Sequence, residues 1–244
     1  MCGRFTLTTK DFGALALELG AVVAADDAAR YRPRYNVAPT DAHWVLRTKQ
    51  EERQLLPAKW GLVNSWAADA KGGFKQINAR AETAMKRAAF RDAFVRRRCI
   101  VPADGFFEWA GPKTARRPIW FHDAHGGLLC FAGLYESWRD PATDIWQRTF
   151  TILTTSANDV VAPVHDRMPV ILRAAAAEDW LFVPSSNAES YAERVAALLR
   201  PAEPDTIIAT EVSPRVNSVA NDDASCLEPA LAAPDTRIAQ MTLL

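Results

Sequence analysis

Short runs rich in β-branched and aromatic residues follow one another along the chain, and this order constrains the fold more than any other sequence feature. Gly, Pro and Asp bound the runs, as is typical of strands separated by turns. They cover residues 43–47, 59–63, 119–122, 128–138, 148–155, 168–172 and 206–212. The central runs succeed each other without an intervening helix, which favours antiparallel pairing over a doubly wound parallel sheet. The sequence therefore predicts an α+β fold, an antiparallel curved sheet or barrel-like core with flanking helices.

Three segments have the apolar spacing of helices, with residues recurring at i, i+3, i+4 and i+7. They are residues 9–19, 81–95 and 188–199. Thr8 is placed to cap the first helix and Gly20 to end it, while Pro201 stops the third. The sequence HDAHGG, between Phe121 and Leu128, predicts a hairpin. No linker or repeat divides the chain, so we expect a single domain over residues 1–244, with the motif-bearing part at about 1–217.

Composition excludes several classes of function. The 244 residues carry 29 basic and 29 acidic side chains, so no global field attracts nucleic acid or membrane. Local patches would have to do so, and the candidates are the arginines at 30, 32 and 34 and at 96–98, although such runs are more often solvated faces. The four cysteines form no CxxC pair, which argues against a zinc site and a disulfide framework.

The compartment and cofactor predictions follow from what the sequence lacks. The N-terminal segment has no apolar core of a signal peptide, and no stretch approaches a membrane span. We therefore expect a cytoplasmic protein, nucleoid-associated when bound to DNA, without membrane or metal partners. Glycine-rich nucleotide-binding motifs and a G-x-S-x-G motif are absent, so no cofactor is expected.

Cys2 is the most informative single residue. An arbitrary cysteine is usually a small buried hydrophobe. At position 2, however, removal of Met1 would expose an α-amine with a pKa of about 8 beside a thiol with a pKa of about 8.5. Such a 1,2-aminothiol can form an imine with an aldehyde and then close a five-membered thiazolidine. It can also serve as an N-terminal nucleophile in peptide hydrolysis.

Other residues have chemistry-bearing settings, each with a structural alternative. Glu108 lies among large aromatics that would raise its pKa and suit acid–base catalysis, yet it could be a solvent-facing strand residue. His165 follows a proline before a strand, where a catalytic or a merely hydrogen-bonded histidine is equally expected. Asn78 could orient a nucleophile or simply begin a turn, and Arg80 could hold a phosphate. Trp66 and Trp109 could stack bases, whereas His43, His122 and His125 are expected to be surface or strand residues.

Taken in order, these segments resemble one known family. The shared motifs are MCGRF (1–5), YNVAPT (35–40), WGLVNSWA (60–67), NARAET (78–83), RRRCIVPADGFFEW (96–109), AGLYESW (132–138), TILTTSAN (151–158) and HDRMPVIL (165–172), with a fainter VSPRVN (212–217). The chain resembles the SRAP family, the SOS-response-associated peptidase-like proteins that process abasic sites. Two positions depart from the family pattern. Asn64 stands where proline is common, which would loosen the loop that presents Trp66, and Phe107 replaces a frequent tyrosine.

The resemblance implies a monomeric abasic site processing protein of the DNA damage response. It would bind single-stranded DNA and form a thiazolidine cross-link with abasic sites through Cys2, with Asn78 positioning Cys2, Glu108 moving protons and His165 assisting the sugar chemistry or the reversal of the link. The implied DNA contacts are Arg4, Arg80 and Arg167 at phosphates and Trp66 and Trp109 at bases. The same imine would allow some lyase-type activity. A cysteine peptidase that uses the N-terminal nucleophile, with removal of its own first residue as one form, and a non-catalytic single-strand binder remain as alternatives.

Overall fold

The computed structural model describes residues 2–230, so Met1 and the last part of the expected domain, residues 231–244, lie outside the described residues. The strands are β1 (Phe5–Leu7), β2 (Arg34–Val37), β3 (Ala42–Lys49), β4 (Glu52–Trp60), β5 (Asn78–Arg80), β6 (Arg98–Ala103), β7 (Gly105–Ala110), β8 (Arg117–Asp123), β9 (Leu129–Arg139), β10 (Trp146–Ser156), β11 (Arg167–Pro169), β12 (Ile171–Leu172) and β13 (Ile207–Glu211). The α-helices are α1 (Phe12–Glu18), α2 (Ala25–Ala28), α3 (Ala81–Ala84), α4 (Ala88–Arg96), α5 (Ala174–Leu181) and α6 (Ala188–Val195).

The strands form two sheets. One has five strands in the order β13-β8-β7-β1-β2, and the other runs β11-β10-β4-β3-β6-β9-β12 with β5 beside β10. Because β9 and β10 also pair with each other, from Arg139↔Trp146 to Gly133↔Ile152, the second sheet closes on itself. The predicted α+β class with a barrel-like core and flanking helices is therefore confirmed. Pairing is mostly antiparallel, but β10 runs parallel to β4 and to β5.

The core has two main layers. Between the two sheets, aromatic side chains pack edge to face, and Phe5 lies 5.0 Å from Trp60 and 6.2 Å from Phe131 between ring centroids. Cys2 belongs to this inter-sheet cluster. Outside the barrel, helices cover the second layer, where Phe94 of α4 meets Trp180 of α5 at 5.4 Å. The longest α-helix in residues 2–230 has nine residues, and no helix described there could cross a bilayer.

Several local predictions need correction. The segment predicted as one helix over 81–95 is two, because Arg87 takes an extended conformation and caps α4, while Thr83 O accepts from the amides of Lys86 and Arg87. The first helix begins at Phe12, and its cap is Asp11, whose carboxylate accepts from Ala14 N, not Thr8. The predicted hairpin at HDAHGG is wrong. Its flanking strands β8 and β9 belong to different sheets, so this turn is a crossing between sheets.

The two arginine runs serve the fold. Arg98 is 1% exposed and donates to the backbone carbonyls of Phe94, Val95, Trp180 and Phe182. Its neighbours Arg96 and Arg97 pair with Asp92, and Arg97 also pairs with the buried Glu136. In the other run, Arg30 pairs with Asp27, while Arg32 and Arg34 both reach Asp222. Neither run is an unpaired basic patch.

Candidate functional site

Cys2 is fully buried and precedes Gly3 and Arg4, which line the cavity of the candidate site. Its Sγ donates to Arg4 O at 3.6 Å, and its carbonyl oxygen accepts from Asn78 Nδ2 at 2.6 Å. The parallel pairing of β5 with β10 sets Asn78 opposite Ile152, which brings the amide to the N-terminal segment. Burial, with the charge of Glu108 adding to it, raises the pKa of the Cys2 thiol well above its ordinary value. The sulfur is therefore held as a neutral thiol, and Asn78 fixes the backbone beside it.

Glu108 lies on β7, whose neighbours in the sheet are β1 and β8. Because side chains alternate along a strand, Glu108 shares the inter-sheet face with Phe106, while Phe107 and Trp109 point the other way. Its residue is 6% exposed, and burial raises the pKa of the carboxyl, opposed by the nearby His165. The expected raised pKa is confirmed, and a solvent-facing Glu108 is excluded. A buried carboxyl with a raised pKa is suited to donate and accept a proton as a general acid and base.

His165 lies in the loop that joins β10 to β11. Its Nδ1 accepts from the backbone N–H of Arg167 at 2.9 Å and lies 3.0 Å from Asp166 Oδ1. A neutral ring that accepts at Nδ1 carries its proton on Nε2. The hydrogen bond from the backbone N–H of Arg167 therefore favours the tautomer in which Nε2 is the donor.

Arg4 and Trp109 form one wall of the site and are tightly held. Arg4 donates through Nη1 to Asn36 Oδ1 at 2.8 Å and to Val216 O at 2.9 Å. The Arg4 guanidinium carbon lies 5.6 Å from the centroid of the Trp109 ring. The Trp109 indole N–H in turn donates to Asn217 Oδ1 at 2.7 Å. Asn36 and Asn217 were not predicted as site residues, although they lie inside the YNVAPT and VSPRVN motifs of the sequence. Neither amide is reactive by itself, so its residue type gives no signal.

Four of the predicted site residues share one cavity of about 1040 Å³, whereas Cys2 and Asn78 are not among the residues that line it. Arg4, Glu108, Trp109 and His165 line it, with further lining from Gly3, Ala38, Pro39, Thr40, Asp41, Lys113, Thr114, Ala115, Arg116, Asn217 and Val219. Thr40 has a φ of 74°, a left-handed conformation that costs a non-glycine residue about 1–3 kcal/mol. Strain of this kind persists where the surrounding structure imposes it, here at the mouth of the candidate site.

Three of the predicted DNA-contact residues lie outside the lining of this cavity. Arg80 ends β5 with its side chain exposed. Arg167 donates to both carboxylate oxygens of Glu82, at 2.6 and 2.8 Å, and to Thr154 O at 2.6 Å, and this hydrogen bonding lowers the pKa of Glu82. A phosphate would have to compete with Glu82 for Arg167. Trp66 is 73% exposed.

The loop that presents Trp66 is firmly anchored. Asn64 is 6% exposed, its Nδ2 donates to Ala89 O at 2.7 Å, and its carbonyl oxygen accepts from Ala67 N at 2.9 Å. Trp138 Nε1 then donates to Ala67 O at 2.7 Å. The expectation that Asn64 loosens this loop is therefore wrong, because its side chain makes a hydrogen bond that proline could not. Phe107 is buried beside Val212 and Val216, where it needs no hydroxyl partner.

The fold and site together define a class of protein: an α+β barrel with a buried cysteine at position 2, close in sequence to a cavity lined by a buried carboxyl and a loop histidine. The model of the family "SOS response associated peptidase (SRAP)" matches residues 1–219, and the chain belongs to this family. It is 38% identical over 230 residues to Abasic site processing protein YoqW of Bacillus subtilis, covering 93% of this chain and 99% of that protein. It is 34% identical to Abasic site processing protein HMCES of Gallus gallus, covering 82% of this chain and 67% of that protein. A crystal structure of a protein from Bacteroides thetaiotaomicron superposes with a TM-score of 0.82 at 26% identity, over 94% of this chain and all of that one.

Proposed function

We propose that this chain is an abasic site processing protein that binds single-stranded DNA and captures abasic sites covalently through Cys2. The names of the relatives support abasic sites as the substrate, and the site supports the chemistry. The observation that carries the proposal is the 2.6 Å hydrogen bond from Asn78 to the carbonyl of Cys2, beside the buried Glu108. This arrangement would hold a free α-amine of Cys2 next to a proton donor. The proposal requires that Met1 is removed.

The first stage of the proposed reaction uses the amine. The neutral α-nitrogen of Cys2 attacks the aldehyde carbon of the ring-opened abasic sugar, and the carbonyl electron pair moves to oxygen. Glu108, whose pKa is raised by burial, donates a proton to that oxygen and receives one from the nitrogen, which gives the carbinolamine. It then donates this proton to the hydroxyl, which leaves as water, and takes the remaining proton from the nitrogen as the imine forms.

The second stage uses the sulfur. The thiol adds across the C=N bond: a carbon–sulfur bond forms and the thiol proton passes to nitrogen. One aldehyde and one aminothiol thus give one thiazolidine and one water, with no oxidant or reductant. Because sulfur and nitrogen belong to the same residue, this closure is intramolecular, and such proximity can be worth several kcal/mol.

The remaining residues would hold the DNA. Arg4, already fixed by Asn36, is placed for the phosphate beside the lesion, and Trp109 offers a rigid ring against which a base can stack. Arg80 and Trp66 would contact the strand outside the cavity, and Arg167 would do so on release from Glu82. We assign His165 Nε2 to the sugar hydroxyl chemistry or the reversal of the link.

A cysteine peptidase is the second candidate, and one observation argues against it. Peptidase cysteines act as thiolates, whose pKa is lowered by a neighbouring base or positive charge. Burial and Glu108 raise the pKa of the Cys2 thiol instead. The amine-first route to a thiazolidine needs no thiolate before the imine forms, so it suits this environment better. The same imine would permit some β-elimination at the lesion as a side reaction.

An aldehyde-bearing abasic oligonucleotide tests the proposal. We expect the chain with a free Cys2 amine to give an adduct that survives heat and denaturing electrophoresis, and Cys2→Ala to give none while still binding the strand. Cys130→Ala is the matched thiol control, because Cys130 lies on β9 away from the cavity, and it should react normally. A stable adduct of normal yield from Cys2→Ala contradicts the thiazolidine.

A second arm tests the amine. Any residue left ahead of Cys2 turns its nitrogen into an amide, whose lone pair is delocalised into the carbonyl. An N-terminally extended chain should therefore bind DNA without forming the heat-stable adduct, and proteolytic exposure of Cys2 should restore it. Equal cross-linking by the extended and trimmed chains rules out the amine. Cleavage of peptides without DNA would favour the peptidase, and salt-sensitive binding alone would favour a non-catalytic binder.

A further inference from the structure

The hairpin that carries Glu108 and Trp109 continues into a basic tip. Strands β7 and β8 pair from Gly105↔His122 to Ala110↔Arg117, and residues 111–116 connect them. Gly111 takes a φ of 88° where the chain leaves β7, and Ala115 N donates to Pro112 O at 2.9 Å, which closes the turn. All residues of this turn are exposed. The tip is thus an ordered protrusion with two cations, Lys113 and Arg116.

Lys113 and Arg116 line the cavity of the candidate site, on the side reached by continuing along β7 from Glu108. Neither makes an ion pair or hydrogen bond with any of residues 2–230. Their neighbour Arg117, by contrast, pairs with Glu211 at 2.5 Å. Arg4 also lines the cavity but already bonds Asn36 and Val216, and the lining carboxylate of Asp41 pairs with Arg34. Lys113 and Arg116 are therefore cations of the cavity wall with no carboxylate partner in residues 2–230, and they add to the charge of Arg4, whose hydrogen bonds go to neutral acceptors.

We propose that Lys113 and Arg116 bind backbone phosphates of one arm of the DNA strand, a few nucleotides from the abasic site. This inference rests on the proposed function and extends it from the lesion to the flanking strand. Lys113 lies five residues beyond Glu108, and an extended chain spans about 3.3 Å per residue, so the tip lies at most about 16 Å from the reacting position. A stacked strand rises 3.4 Å per nucleotide. The tip then meets a phosphate about five nucleotides from the lesion, and an extended strand reaches it in fewer.

Three consequences distinguish this contact from the chemistry at Cys2. Binding through Lys113 and Arg116 is independent of base sequence, because phosphates carry no sequence information. It requires DNA on one side of the lesion only, because the hairpin tip occupies one side of the cavity. It also adds to the salt dependence, because each neutralised phosphate of a single strand contributes about 0.7 to the slope of log affinity against log salt.

The test measures affinity rather than cross-linking. The probes are single strands with a tetrahydrofuran abasic analogue, which lacks an aldehyde, and have two long arms, a trimmed 5′ arm or a trimmed 3′ arm. We expect Lys113→Gln/Arg116→Gln to flatten the salt slope by about 1.4 and to weaken binding about 20-fold at 0.1 M salt on the long probe. The same loss should appear with the trimmed probe that keeps the arm contacted by the hairpin tip. It should vanish with the probe in which that arm is trimmed. Both residues are exposed on a turn, so the fold should be unaffected.

Lys49→Gln/Arg96→Gln is the control, since it removes the same charge from exposed positions that do not line the cavity. An unchanged slope, an equal loss with the control pair, or an equal loss on all three probes overturns the hairpin-tip contact. Cross-linking of the wild-type chain to a true abasic strand is measured in parallel. Normal cross-linking with an unchanged slope in the variant refutes this inference alone. A wild-type chain that neither binds nor cross-links single strands refutes the proposed function together with it.

Discussion

At the scale of one residue, the burial of Glu108 lowers the stability of the fold, although the same burial suits the proposed role of its carboxyl. A carboxyl whose folded pKa is raised above its ordinary value binds more protons in the folded than in the unfolded state. Stability is therefore lost as pH rises from the ordinary pKa, about 4.3, through the folded one. Burial raises the pKa of Glu108, so the contribution of this residue to stability falls as pH rises above the ordinary value.

Glu108→Gln should separate chemistry from stability. The amide has nearly the same shape but cannot exchange the proton, so adduct formation should slow by about 10²–10⁴-fold. The variant should be at least as stable as the wild type at pH 7, because the penalty for burying a charge is gone. Rates come from quenched time courses on an abasic oligonucleotide, and stability comes from denaturant unfolding at the same pH.

Glu136→Gln provides a matched control for that prediction. Glu136 is a second buried glutamate, and burial raises its pKa as well. It lies on β9 of the barrel, away from the cavity, and pairs with Arg97. Its replacement should destabilise the fold, because Arg97 loses a partner, while the rate of adduct formation stays unchanged. A Glu108→Gln variant that reacts at the wild-type rate would return Glu108 to a purely structural role.

Residue types with intrinsic reactivity could be found from the sequence, whereas residues that act through their position could not. Cys2, Glu108 and His165 stand out because thiol, carboxyl and imidazole carry chemistry in any setting. Asn36 and Arg98 do not, because their roles depend on backbone carbonyls contributed by segments distant along the chain. The arginine run at 96–98 looked like a surface patch for the same reason, since no local pattern shows where an acceptor lies.

At the scale of elements, the sequence predicted what local physics determines. Each predicted strand run overlaps an observed strand, because β-branched and aromatic residues between turn residues are typical of strands, and most bounds shifted by only a few residues. Five short strands, β1, β2, β5, β6 and β7, were not predicted. The helix break at Arg87 was missed, since no glycine or proline marks it and the stripe of Met85, Ala89 and Ala93 continues across it. The false hairpin at HDAHGG has a similar cause. Turn chemistry shows that the chain bends, but strand partners depend on long-range pairing.

Residues 213–228 form an element that the sequence did not predict. Hydrogen bonds of Asn36 and Asp222 attach this segment to β2. Asn36 Nδ2 donates to the carbonyls of Val216, Ser218 and Asn221, at 3.2, 3.0 and 2.7 Å. The Asp222 carboxylate accepts from the amides of Tyr35 and Asn36 at 2.7 and 2.9 Å. Since Asn217 holds Trp109 and Val216 O holds Arg4, this segment supports one wall of the cavity.

Asn36→Asp should weaken the attachment of residues 213–228 without leaving a cavity in the core. The carboxylate can still accept from Arg4 but cannot donate, so the carbonyls of Val216, Ser218 and Asn221 each lose one donor and keep a second one, from Arg4, Asn221 N and Cys226 respectively. Each lost hydrogen bond is worth about 1 kcal/mol, so we expect a fall of about 2–3 kcal/mol in the unfolding free energy. Hydrogen exchange should accelerate in residues 213–228 far more than in β3 or β9. A uniform acceleration across both sheets would show that Asn36 stabilises the whole core instead.

At the scale of the whole molecule, the site lies where the two sheets meet. Glu108 and the N-terminal segment belong to the five-stranded sheet, whereas Asn78 and the loop of His165 belong to the barrel. The sequence predicted the α+β class because the order of strands excludes a doubly wound fold. It could not predict that β9 and β10 close the barrel, or that β10 runs parallel to β4 and β5, because ring closure is decided by tertiary packing. The geometry of the candidate site therefore depends on the contact between the sheets.

His43 makes the contact between the two sheets sensitive to acid pH. It lies on β3 of the barrel, 2% exposed, with its ring 4.6 Å from Phe5 of the other sheet and its Nε2 2.9 Å from Pro102 O. Burial lowers the pKa of His43 to about 4, from about 6.5 in the unfolded chain. The folded state then binds fewer protons, so this contribution to stability is present above pH 6.5 and is lost as pH falls towards 4. The loss amounts to about 3 kcal/mol between pH 8 and pH 4.

His43→Gln should remove this part of the acid sensitivity. Glutamine keeps a donor for Pro102 O but does not titrate, so the unfolding free energy of the variant should fall less between pH 8 and pH 4, by about 3 kcal/mol, even if it starts lower at pH 8. His125→Gln is the control, because His125 lies in an exposed turn between the sheets and should leave the pH profile unchanged. Denaturant unfolding at closely spaced pH values gives the unfolding free energy of each chain as a function of pH. The carboxylates are common to all three chains, so their titration cancels in the differences between chains. Parallel profiles for the wild type and His43→Gln would show that protonation of His43 does not separate the sheets, and that acid unfolding begins elsewhere in the molecule.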